Sequence, residues 1–200
     1  MLRRKPFDEL LEAFSSSDPT PGGGSAAALA ASVGAALLAM VAGLSKTRHG
    51  GDEDRTALEQ ARTGLMALRD QLAELIDRDT EAYDGVVAAF RLPKATDEEK
   101  AARSSAVQRA MREATETPLA VMRACEEVVR TGDVVAERGN PSALSDVRVG
   151  LELAAAGLRG ARYNVEVNLG SVKDSAFVEE VRREVERLTT ESDRASPGGR

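Results

Sequence analysis

Residues 19–45 read PTPGGGSAAALAASVGAALLAMVAGLS, a run without one charged side chain. The first third is a loop by local rules, because Pro and Gly punctuate it. The remainder favours a helix, since Ala loses least on entering one. Ser25 reads as the N-cap of that helix, which extends to about Leu44. Ala27, Ala31, Ala35, Ala39 and Gly43 recur every fourth position, a ridge of small residues that lets another backbone come close. About 20 apolar residues suffice to span a bilayer. A mixture of Ala, Gly and Ser is weakly hydrophobic, however, and the run reads as a buried core helix, with no membrane involved.

Working outward, the composition supports the same class. The 200 residues include 33 Ala, while Phe, Tyr and Trp make up only 3%. Strands favour aromatic and β-branched residues, so the chain is expected to be all-α. Phe7, Leu10, Leu11 and Phe14 give a short first helix. From about Asp52 to Arg91 a long helix carries the seam Leu58, Ala61, Leu65, Leu68, Leu72, Leu75, Tyr83, Val86 and Phe90, in the alternating three-four spacing of a bundle. Thr96-x-x-Glu99 reads as a capping box opening the next helix. Thr117-Pro118 is expected to kink that helix or to start another running to about Arg130. Ser142 is the expected cap of a helix to about Asn168, whose Gly150, Gly157 and Gly160 imply close helix contact. Lys173–Glu191 is the last amphipathic helix. The expected architecture is a single-domain helical bundle over residues 1–191 with one long central helix, packed as a homodimer, and a disordered tail at 192–200.

Several function classes are disfavoured. Lys and Arg total 27 against 33 Asp and Glu, a net charge of −6, which argues against a nucleic-acid partner. One Cys and one His, His49, leave no donors for a Cys-rich or multi-His metal site. The basic N-terminus is not followed by the apolar stretch of a secretory leader, so a cytoplasmic location is expected.

The candidates for chemistry fall in four places. Pro21, Gly22, Gly23, Gly24 and Ser25 lead directly into a helix, whose N-terminal N–H groups can cradle an anion or a polar oxygen. The alternative is a tight, flexible turn, for which three consecutive glycines are entropically expensive. Asp79 occupies a seam position where an apolar residue belongs, four after Leu75 and four before Tyr83. A buried carboxylate is costly unless paired, so Asp79 is either half of an interhelical ion pair or a site carboxylate, with Tyr83 one turn away on its face. Asn140, Ser142 and Asp146 form a polar cluster that also reads as helix capping. Asn164 and Asn168 share a helix face and must be hydrogen-bonded if buried, to backbone or to a polar heterocycle. Asp146 and Asn164 are about 27 Å apart along one helix, too far for one small ligand unless a bend or a second subunit intervenes. Lys94, in the loop after the long helix, is a candidate anchor for an anionic group.

These residues carry a family resemblance. The 19–45 block, DRDTEAYDGVVAAFRLPKATDEEKAAR at 77–103, TPLAVMRACEEV at 117–128, GNPSALSDVRVG at 139–150 and GARYNVEVNLGSVKD at 160–174 together resemble the C-terminal domain family of formiminotransferase-cyclodeaminase, in order and over about Phe7 to Glu186. The resemblance implies an all-helical homodimer acting on one-carbon derivatives of tetrahydrofolate, with no cofactor beyond that substrate. It implies a cyclohydrolase that interconverts 5,10-methenyl- and 10-formyltetrahydrofolate. The alternatives are a cyclodeaminase that releases ammonia from the formimino derivative and a non-catalytic folate-binding helical dimer. Chemistry and resemblance together put Asp79 beside the methenyl cation, with Tyr83 and Asp146 as further acid–base candidates. They assign the loop glycines, Ser25, Asn140, Ser142, Asn164 and Asn168 to the substrate, and Lys94 to its glutamate tail.

Overall fold

The computed structural model describes the backbone of residues 1–195 and the side chains of residues 1–190. The described residues form six α-helices, α1 (Phe7–Ser15), α2 (Gly23–Ala42), α3 (Asp52–Phe90), α4 (Asp97–Arg138), α5 (Leu144–Leu169) and α6 (Ser175–Ala195), with single 3-10 turns at Leu2–Arg4 and Pro141–Ala143. Among the described residues there is no strand. The expected end of α6 at Glu191 is four residues early. The rest of the expected tail, 196–200, lies outside the described residues.

Helices α2 to α5 run alternately up and down and form a closed ring in which α2 packs on α3 and α5, and α4 on α3 and α5. Short connections enforce this order. The charge-free α2 is a core helix of the ring, as its composition implies: Ala28, Ala31, Ala35 and Leu38 are fully buried. It is long and apolar enough to cross a membrane by length and composition alone, yet its apolar surface is largely taken up by its neighbours. The small-residue ridge meets the glycines of α5. A Cβ at Gly34 would lie 2.6 Å from Gly150 O, one at Gly150 2.7 Å from the Leu38 side chain, and one at Gly157 2.8 Å from Ala27 O. The helix-destabilising glycines of α5 thus let two backbones touch.

Two expectations about helix length need correction. The structure has two long helices, not one, because α4 continues unbroken through Pro118 to Arg138. Proline removes the N–H that would bind the carbonyl four residues earlier, here Ala114. That orphaned carbonyl accepts a hydrogen bond from Asn168 Nδ2 of α5 at 2.7 Å, which satisfies it without a break in the helix. The capping box at Thr96 and Glu99 forms as expected, with Glu99 N–H donating to Thr96 Oγ1. Ser25 and Ser142 are not caps. Gly22 is the N-cap of α2, and Asn140 Oδ1 accepts from Ser142 N–H in the turn before α5.

The long α3 outruns α2. Ser25, in the first turn of α2, contacts Asp79, and α3 then continues to Phe90, roughly 16 Å farther by helical rise. Along this overhang α3 is accompanied by α4, where Arg103 binds Phe90 O and sits over its ring. Tyr83 and Phe90 are consequently 41% and 48% exposed. The seam loses its covering helix at Asp79, which explains why a carboxylate stands there.

Candidate functional site

The N-terminus of α2 is an orphan end. Its N-cap, Gly22, has no side chain to offer, and the first N–H groups of any helix lack internal partners. The missing acceptor comes from another helix. Asp79 Oδ2 of α3 accepts the Ser25 N–H at 2.8 Å and lies 2.9 Å from Ser25 Oγ. The Ser25 hydroxyl is also 3.0 Å from Ile76 O. Asp79 therefore caps α2 from outside. Among the described residues it has no ion-pair partner, the structural alternative that its seam position suggested. The positive end of the α2 dipole favours the ionised carboxylate, and both Ser25 hydrogen bonds do the same. Burial outweighs them and pushes the Asp79 carboxyl above its ordinary value.

This contact explains the glycines unequally. A Cβ on Gly24 would fall 2.1 Å from Asp79 Oδ1, so no side chain fits there while Asp79 caps the helix. Gly23 is less constrained, with Asn164 Nδ2 at 3.4 Å from its notional Cβ, and Gly22 meets only Pro19 O at 3.8 Å.

Above this cap lies a cleft of about 250 Å³. It is lined by Pro19, Thr20, Gly22 and Gly23 from the loop, by Asp79, Ala82, Tyr83 and Val86 from α3, by Met111 and Ala114 from α4, and by Asn164 and Asn168 from α5. The structure thus brings together the glycine loop, Asp79, Tyr83 and both asparagines. Asn164 Nδ2 donates to Gly160 O at 2.9 Å and Asn168 Nδ2 to Ala114 O. Backbone bonding of these amides and service to a ligand, two readings that compete in the sequence, are compatible. One N–H of each is used, and the side-chain oxygens remain to accept.

Ser25 is fully buried behind Asp79 and does not line the cleft. Neither does Pro21, which is half-buried within the loop. Lys94 is exposed in the α3–α4 loop at the tip of the overhang. Asn140, Ser142 and Asp146 sit at the opposite end of α5 and cannot share the cleft of their own chain. Sequence reasoning missed Pro19, Thr20, Ala82, Val86, Met111 and Ala114 as lining residues. The first two belong to the singled-out loop, whereas nothing local marks the α4 pair. The polar loop at His49 is also remote: His49 binds Asp54, which Arg138 approaches as well. Cys125 is a core residue whose thiol burial pushes further up. Among the described residues no three His, Cys, Asp or Glu side chains gather to hold a metal.

Chemically, the cleft offers one formal charge, negative, with an apolar wall from Ala82, Val86 and Met111 and neutral hydrogen-bonding groups around it. Asp79 Oδ2 is engaged by Ser25, and Oδ1 has no hydrogen bond from the described residues. A half-buried carboxylate with one uncommitted oxygen can stabilise a cation and accept its proton.

Comparison with known proteins bears on this geometry. A family model described as formiminotransferase-cyclodeaminase matches residues 6–187. A methenyltetrahydrofolate cyclohydrolase from Methylorubrum extorquens is 43% identical over 96% of this chain and 92% of its own length. Formimidoyltransferase-cyclodeaminases from Gallus gallus and Rattus norvegicus are 32% and 34% identical over 98% and 86% of the chain, which spans only 36% and 32% of those longer proteins. The crystal structure of formiminotetrahydrofolate cyclodeaminase from Thermotoga maritima superposes with a TM-score of 0.87 over 98% of this chain and 93% of that one, at 24% identity. That likeness establishes the shared helical fold.

Proposed function

The chain belongs to the formiminotransferase-cyclodeaminase family, and from that premise we propose that it is a methenyltetrahydrofolate cyclohydrolase, interconverting 5,10-methenyl- and 10-formyltetrahydrofolate. The observation that carries this reading is the single negative charge of the cleft, Asp79, with one oxygen free. The reacting centre of the substrate is a cation delocalised over N5, the one-carbon unit and N10. A carboxylate beside it stabilises that charge, and the cation in turn favours the ionised carboxylate.

The reaction follows from these parts. Asp79 takes one proton from the attacking water as its oxygen bonds to the one-carbon unit. The resulting neutral adduct loses its hydroxyl proton as the carbonyl forms and the bond to N5 breaks. N5 takes up one proton, leaving the formyl group on N10 and one proton released overall. Asp79 can return its proton to N5, and Tyr83, one turn along α3, is the second donor at hand. The oxygens of Asn164 and Asn168 suit the amino and N–H edge of the pterin. The aminobenzoyl-glutamate arm would follow the α3–α4 overhang towards Lys94, roughly 16 Å beyond Asp79 at its nearer end. A soluble folate substrate suits a cytoplasmic enzyme.

Absorbance of the methenyl chromophore tests the reading. Purified protein accelerates its loss if the chain is a cyclohydrolase. Its appearance from formiminotetrahydrofolate would instead establish a cyclodeaminase, the activity named in the longer relatives. Neither change would leave a binding module.

The proposal includes a homodimer. Helix α2 leaves Val33 and Met40 about half exposed, and α5 leaves Val149, Tyr163 and Val167 exposed, two apolar stripes on helices packed side by side. Light scattering is expected to give twice the 21.2 kDa chain mass, and Val33→Asp is expected to lower it. A monomer at micromolar concentration would refute the dimer.

A further inference from the structure

Ser25 is a polar residue at this site to which the reaction assigns no part. Its relative exposure is 0%, so it does not touch substrate. Yet three polar contacts converge on it: its N–H donates to Asp79 Oδ2 at 2.8 Å, and its hydroxyl oxygen lies 2.9 Å from that same Oδ2 and 3.0 Å from Ile76 O. A hydroxyl has one hydrogen. A backbone carbonyl can only accept, and an ionised carboxylate can only accept. The single hydrogen therefore has two competing destinations, and the charge on Asp79 decides between them. While Asp79 is ionised, the charge-assisted bond to Oδ2 is the stronger. Once Oδ1 is protonated, Oδ2 carries no full charge, and Ile76 O is already within reach. No heavy atom has to move in either case.

We propose that Ser25 is a positioning residue for Asp79: its N–H and O–H hold Oδ2, leave Oδ1 as the oxygen that exchanges a proton with substrate, and let the hydroxyl turn to Ile76 O when that proton arrives. Gly24 makes the same point from the other side, because only a residue without a Cβ leaves Oδ1 its room. Among the described residues no other charged side chain lines the cleft. Helix α2 carries none, α4 presents Met111 and Ala114, α5 presents Asn164 and Asn168, and Tyr83 is the one other titratable group among the lining residues. The Ser25 hydrogen bonds and burial are the influences that shift its proton affinity.

The catalytic part of this inference rests on the cyclohydrolase reading. The test is the pH profile of kcat/KM for wild type, Ser25→Ala and the volume-conserving, weakly donating Ser25→Cys. Losing the O–H donor disfavours the ionised form of Asp79. The acid limb is therefore expected to move up by about one pH unit, with roughly tenfold lower activity on the acid side and recovery at higher pH. In an Asp79→Asn background, Ser25→Ala should add no further loss. An unmoved acid limb in a folded variant would overturn the proposal and leave Ser25 a structural residue. Should wild type fail to turn over the methenyl substrate, the reaction reading falls. Titration of the Asp79 carboxyl by 13C NMR then decides the Ser25 inference alone: an upward shift in either variant supports it, and none refutes it.

Discussion

The two ends of α5 both carry polar clusters, and they differ in what those side chains still have to offer. At the N-terminal end Asn140 Oδ1 is used by Ser142 N–H, Arg138 pairs with Glu53 and approaches Asp54, and Asp54 takes the backbone N–H and ring of His49. Those contacts, the His49 N–H foremost, hold the Asp54 carboxyl below its ordinary value. At the C-terminal end Asp79 Oδ1 and the asparagine oxygens remain uncommitted around a walled cleft. A polar cluster at a helix end becomes a site where the fold leaves acceptors free and covers one side of them. Where the acceptors are taken up by neighbours, as at Asn140 and Asp54, it is a joint.

The sharpest way to break this contrast is Asp79→Asn. Removing a positioned acid or base lowers turnover by roughly 10²–10⁴. Stability should respond in the opposite sense. Burial raises Asp79 above 3.8 in the folded chain, so the folded state holds this proton more tightly than the unfolded state. Stability from this group is therefore full below that pH and declines as pH rises through the folded-state value. The melting-point gain of Asp79→Asn over wild type should be larger at pH 7 than at pH 4. A variant that melts early at both, with turnover kept, would make Asp79 a helix cap and nothing more.

A smaller effect separates the glycines. Gly24→Ala forces Asp79 aside, and a displacement of about 1 Å can lower kcat/KM about 10²-fold. Gly23→Ala, whose new methyl would meet Asn164 Nδ2 at ordinary contact distance, should stay within a few-fold of wild type. Equal losses in the two would show that the loop binds substrate through Gly23 as strongly as it accommodates Asp79.

The mildest change is expected at the other end. Asn140→Ala loses a side-chain acceptor at a turn, about 1 kcal/mol, which lowers the melting point and leaves kcat alone. A collapse of kcat with the melting point held would dissolve the contrast. Asn140 and Asp146 would then serve a cleft from a second subunit, since about 27 Å separates Asp146 from Asn164 within one chain.

Much of this was legible in sequence because it is local. Periodicity and composition located the helices, with one or two over 96–130, the capping box opened α4, and the glycines of α5 announced close packing. Two of the misjudged points, at Pro118 and Ser25, share one cause, a partner distant in the chain. Thr117-Pro118 can kink a helix or start another; no new helix starts there, and Asn168 of α5 supplies the hydrogen bond that the Ala114 carbonyl would otherwise lack. Ser25 was expected to cap its own helix, and Asp79 of α3 does so.

The sequence by itself determined the class of this protein, the identity of its core helix and the anomaly at Asp79. Those follow from side-chain size, charge and spacing along one chain. Only the tertiary structure decided what the anomaly means. Whether a carboxylate on a seam is an ion pair, a cap or a catalytic group depends on where α2 starts relative to α3. That register is set by backbone contact between α2 and α5 and by three connections far from Asp79 in sequence, so no local pattern around residue 79 could carry it.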